Sequence, residues 1–147
     1  MKPLQIKVIS FDEAKFEYNK KIGVLTKELL TDMRLVFDPV LSYREDAESI
    51  GIQLSVNYLY KDTIILSYGI VLSLIVDEYL QERAKGHENA TKFLNDVEVK
   101  KELFDLATGF FRGALAIRSK NTLVAKLFLP IFNSAEMAEK MRLNEVK

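Results

Sequence analysis

The sequence predicts an α+β fold: a four-stranded antiparallel sheet with a long helix and a C-terminal helix packed on one face. Three observations predict it. From Ile50 to Tyr60 apolar and polar residues alternate with a period of two, and Thr63 to Val76 returns as a second long extended run. From Val99 to Ile117 the apolar spacing changes to three and four residues, the period of a helix. The extended runs all precede the helical ones, and without β–α–β alternation that order lays helices against an antiparallel sheet.

Each element follows from local pattern. Leu4, Ile6 and Val8 share one parity and Ile9 and Phe11 take the other, so the first strand carries a bulge before Phe16 and Tyr18. Ile22 to Thr31 fits either a helical turn or a strand lead-in. Met33, Leu35 and Phe37 open a half-buried strand that ends near Tyr43. Lys61-Asp62 closes the hairpin without the usual glycine. Asp77 to Lys101 is charged and broken at Lys85-Gly86-His87, which reads as a crossover with short helical pieces. The long helix runs from about Val97 to Arg118, and Ser119-Lys120-Asn121 ends it. An apolar connection, Leu123 to Phe132, passes through Pro130. Asn133 followed by Glu136 is a capping signature for a last helix reaching about Val146.

The composition bounds the function. Residues 1–147 read as one domain, large enough to bury a core without staples. There are no cysteines, so disulfides, thiolate nucleophiles and cysteine metal sites are out. Net charge is zero, which argues against recruitment of nucleic acid or an anionic membrane. The apolar run Ile64 to Val76 is too short to span a bilayer, and the first residues are too polar for a signal-peptide core. The chain therefore reads as soluble and cytoplasmic.

Catalytic patterns are missing. No nucleophile elbow, phosphate-binding loop or dinucleotide fingerprint occurs, so the expectation is a protein that is not an enzyme and uses no cofactor and no metal. His87, the single histidine, reads as a solvated loop residue. Glu45, Asp46 and Glu48 read as a solvated connection between strands, with docking of a basic segment as the alternative.

What remains is apolar surface. The strand Thr63–Val76 is apolar on one face through Leu66, Tyr68, Ile70, Leu72 and Leu74, and again on the other through Ile65, Val71 and Ile75. Such a strand needs a cover on both sides, and Val71 and Ile75 call for a second subunit or a ligand. Gly109 and Gly113 lie four apart on the long helix; either they let it close on its own sheet, or they leave a flat stripe for another helix. Leu59, Tyr79, Phe93, Phe128 and Phe132 fall off the regular buried parity. With Leu35, Phe37, Met137 and Met141 they form the candidate polypeptide-binding set, while Val71, Ile75, Gly109 and Gly113 form the candidate oligomer interface.

This order of parts resembles the SecB chaperones. Leu4-Gln5-Ile6-Lys7-Val8 with Phe11 and Phe16 is similar to that family's first strand, Asp32 to Phe37 to its second, and Ile50 to Val76 to its third and fourth. Phe111-Arg112-Gly113 in the long helix and Leu129-Pro130-Ile131-Phe132-Asn133 before the last helix resemble its short motifs. The family's Cys-Pro-Asn segment and its Phe-Pro-Tyr-Ala-Arg helix start are absent, with Leu103-Phe104-Asp105-Leu106-Ala107 in place of the latter, and the chain is neutral where SecB proteins are acidic. The likeness is to a divergent member. It implies ATP-independent binding of unfolded or nascent polypeptides along hydrophobic grooves by a homodimer or homotetramer, in protein export with SecA or beside a toxin–antitoxin partner. An interaction subunit with one fixed partner is the competing reading, and a small-ligand binder the third.

Overall fold

The hairpin at the centre of the sheet organises everything else. In the computed structural model, which describes residues 2–127 and 133–147, it pairs β3 (Ile50–Tyr60) with β4 (Thr63–Val76). Lys61 takes the place of a turn glycine with φ of 55°, a conformation that costs a non-glycine residue about 1–2 kcal/mol. Both strands are long and their inward side chains are fully buried, so the pairing outweighs that strain.

β1 (Ile6–Tyr18) flanks β4 and β2 (Arg34–Tyr43) flanks β3, all antiparallel. The expected bulge in β1 lies at Ile9, where the register with β4 shifts between Val8 and Ser10. A second shift between Glu13 and Lys15 was not foreseen. Two bulges turn the strand over twice. Phe11, Glu13 and Phe16 thereby all reach the helical layer: Phe11 stacks on Phe110, Glu13 meets Arg118, and Phe16 packs edge-on against Tyr68. The ambiguous stretch resolves into one helical turn, α1 (Lys27–Thr31), capped by the Thr26 hydroxyl.

The crossover folds as α2 (Asp77–Ala84) and α3 (His87–Asn95), broken where Gly86 adopts φ of 133°. α4 (Val97–Ser119) follows directly. The Asp96 carboxylate accepts hydrogen bonds from the Glu98 and Val99 amides and so caps it. α4 lies across the sheet, with Phe111 edge-on to Tyr68 at 5.2 Å and Phe104 against Phe37. Burial holds the Tyr68 hydroxyl neutral, its pKa pushed up to about 12, with the nearby Glu13 carboxylate adding to the shift.

The C-terminus departs from expectation. α5 (Ser134–Lys140) starts as predicted at Asn133, whose side chain accepts from the Ala135 and Glu136 amides. It does not continue to Val146. Met141 is extended and buried, and the chain becomes β5 (Arg142–Glu145), pairing parallel to β2 from Val40 to Tyr43. Met141 and Leu143 alternate with Arg142 and Asn144, a period-two signal too short to outweigh the helical reading. The Arg142 guanidinium clamps the Asp38 carboxylate at 2.9 and 3.0 Å. The sheet is therefore five-stranded and mixed, in the order β1-β4-β3-β2-β5, where four antiparallel strands were expected.

The described helices pack on the face that carries Tyr68, Phe37 and Tyr43, and the opposite face is of mixed character. There the cross-strand rows read Ser10-Ser73-Gly51-Ser42 and Asp12-Val71-Gln53-Val40. Val71 and Ile75 are half-buried, flanked by small and polar neighbours rather than by more apolar ones. The case for a second cover weakens accordingly: a strand apolar on both sides in sequence lies on a face that is mixed laterally.

Candidate functional site

The apolar arc of α4 is wider than its sheet can cover. Val99, Leu103, Phe104, Ala107, Phe111 and Leu115 are buried. Leu106, Phe110 and Ala114 lie about 60° around the helix and are half-buried, and Ile117 beyond them is 80% exposed. The sequence pattern had merged these two stripes. The outer stripe, with Gly109, Gly113, Asp105 and Phe11 of β1, lines an open trough of about 740 Å³.

The two glycines now have a definite setting. A β-carbon built on either would meet nothing within 4 Å, so neither lets α4 close on its own sheet. They flatten the floor of the outer trough instead. Asp105, at one end of it, accepts a hydrogen bond from the Ser134 hydroxyl of α5. Arg118, beside the other end, pairs with Glu13 at 3.0 Å and covers the Phe16 ring.

A second apolar concavity, of about 350 Å³, lies between α1, β2, Tyr58 of β3 and the Lys126–Leu127 part of the chain after α4. Leu30, Met33, Leu35, Tyr58 and Leu127 line it, with Lys27, Thr31 and Lys126 at its rim. Tyr58 is buried to 1% exposure, and its hydroxyl has no hydrogen-bond partner. Desolvation drives the pKa of that hydroxyl well above the usual tyrosine value. Tyr58→Phe removes an orphaned polar group and is expected to leave stability unchanged or raise it, read as the urea midpoint.

The predicted binding residues divide between core and surface. Tyr79 and Met141 are core, at 1% and 2% exposure, and present no surface to a polypeptide. Phe93, which packs by Tyr79, is half-buried, as are Phe37 against Phe104 and Met137 against the core. Leu59 is half-buried near the end of β3. Among the described members of the set, Leu35 lines this apolar concavity, while Tyr79 borders a smaller polar one with Glu45, Arg83 and His87. Phe128 and Phe132 lie outside the described residues. The sequence reading missed Leu30, Met33 and Tyr58 as lining groups, because only the docking of α1 beside β2 brings them together.

A third cluster is ionic. Glu45, after β2, His87, at the start of α3, and Glu145, in β5, place one donor atom each within 4.8 Å of the others. His87 Nε2 lies 3.3 Å from the Glu145 carboxylate, and the ring stacks on Tyr43. These three donors could hold a divalent cation, although the His87–Glu145 contact already gives two of them a partner. Nearby, the Arg44 guanidinium bonds the Asp46 carboxylate and lowers its pKa. The acidic loop is thus partly neutralised from within. No helix among the described residues is long and apolar enough to cross a membrane.

No protein-family profile matches the sequence, and no curated protein matches it. Among solved structures, a SecB-like chaperone of Mycobacterium tuberculosis, in complex with a ChAD peptide from the HigA1 antitoxin, is similar over 87% of this chain and 88% of that one. The sequences are 10% identical and the TM-score is 0.47, so the relationship is one of distant structural likeness in the α+β class.

Proposed function

We propose that this chain is a polypeptide-binding protein of the SecB-like chaperone kind, acting without ATP on unfolded or nascent chains. The observation that carries this reading is the apolar concavity beside the end of β2 that has no strand partner among the described residues. β5 pairs only with Val40–Tyr43, so the outer edge of β2 from Arg34 to Pro39 has no strand partner among the described residues. An extended peptide can bond an open edge through its backbone while its apolar side chains fill an adjoining groove. Loose selectivity of this type needs no catalytic group.

The outer trough of α4 supports a second part of the reading, association into a homodimer or homotetramer through Gly109 and Gly113. Its width and lack of side-chain obstruction suit a second helix, as small residues permit.

The test is suppression of aggregation. The purified chain is expected to reduce light scattering by a chemically unfolded protein on dilution, and to leave the same protein unaffected when native. Equal scattering with and without the chain overturns the reading. Retention of one host protein, with no effect on generic unfolded chains, favours a dedicated partner subunit.

A further inference from the structure

We infer that the concavity between α1 and β2 prefers an extended segment whose apolar side chains are flanked by acidic residues. This rests on the polypeptide-binding reading and names the class of segment bound. The walls are apolar, through Leu30, Met33, Leu35 and Leu127, and the volume lies within the range of ligand pockets. The rim is basic. Lys27 and Lys126 come from different segments, both are exposed, and neither has an ion pair among the described residues. Glu28 of α1 and Asp32, which follows that helix, are not part of the lining.

Two exposed lysines lining an apolar slot attract carboxylates that flank an apolar anchor and repel lysine or arginine there. The neighbouring edge of β2 favours an extended chain over a small amphipathic acid, because a peptide gains backbone hydrogen bonds that a small acid cannot make. Leu35 belongs both to this strand and to the cavity wall, so edge and slot are continuous.

Fluorescence anisotropy at low ionic strength tests it. The probes are a fluorescein-labelled synthetic peptide with a central Leu-Val-Leu between Asp and Glu residues, and its counterpart with Lys flanks. The acidic peptide is expected to bind roughly tenfold more tightly, with the gap closing as salt rises. In the Lys27→Glu/Lys126→Glu variant the preference reverses, and in Lys27→Gln/Lys126→Gln it disappears. Both pairs are exposed, and an unchanged far-UV spectrum verifies their folding. Equal binding of the two peptides, or a preference that survives charge reversal, overturns the inference and leaves polypeptide binding intact. Binding of neither peptide also overturns it, and the aggregation assay then decides separately whether the broader reading falls.

Discussion

Phe111→Ala is expected to cost about 3–5 kcal/mol of folding stability, a large part of the ~5–15 kcal/mol that a domain commonly holds. Phe111 is fully buried, and its ring meets Tyr68 edge-on at 5.2 Å, at the point where α4 crosses the middle of the sheet. Truncation leaves a cavity between two rigid elements, neither of which can move in to fill it. It also removes the contact that holds Tyr68 toward Glu13. Urea unfolding followed by far-UV circular dichroism measures the loss. Ile117→Ala on the same helix, measured at concentrations where the chain is monomeric, is the control: at 80% exposure its effect should stay within about 0.5 kcal/mol. Equal losses at the two positions would mean that the helix is rotated from the placement described.

Ile117→Asp is expected to abolish self-association while leaving the fold intact. Burying an unpaired carboxylate at a helix–helix contact costs several kcal/mol, more than a modest interface can absorb. Gly113→Leu should act the same way by filling the floor of the trough. Gly113→Ala has a different signature. With nothing within 4 Å of the added carbon, the substitution should stabilise the isolated chain by up to ~1 kcal/mol through helix propensity. Sedimentation equilibrium reads the outcome. The unaltered chain should be a dimer or tetramer, and the Ile117→Asp and Gly113→Leu variants monomers with unchanged helix content. A monomeric unaltered chain would remove the oligomer from the proposed function.

Local elements were legible wherever one period ran long enough. The hairpin of β3 and β4 and the boundaries of α4 lie where alternation and helical spacing place them, because each segment's own apolar residues dictate its buried face. The Asn133 cap was equally legible, since capping depends on the side chain of one residue. β5 was not. Four alternating residues after a helical run carry too little signal, and what makes them a strand is the free edge of β2 and the Arg142–Asp38 clamp, about a hundred residues apart in sequence. The second bulge of β1 was hidden likewise, because it is defined only by its register with β4.

The candidate sites followed the same division. Tyr79 and Met141 looked like spare apolar groups, since their covers come from distant segments. Gly109 and Gly113 were ambiguous until the rotation of α4 was known, because spacing alone cannot say which side of a helix meets its sheet. Leu35 was singled out, but its neighbours Leu30, Met33 and Tyr58 were not.

By itself, then, the sequence determined an α+β chain with strands before helices, more apolar surface than regular packing requires, and no recognisable catalytic motif. Those are properties of periodicity and composition, which each segment carries with it. The tertiary structure alone decided the fifth strand, the basic slot between α1 and β2, the gathering of Glu45, His87 and Glu145, and the outward turn of the α4 glycines. Each depends on contacts between segments far apart in the chain, and such contacts leave no local trace in the residues that make them.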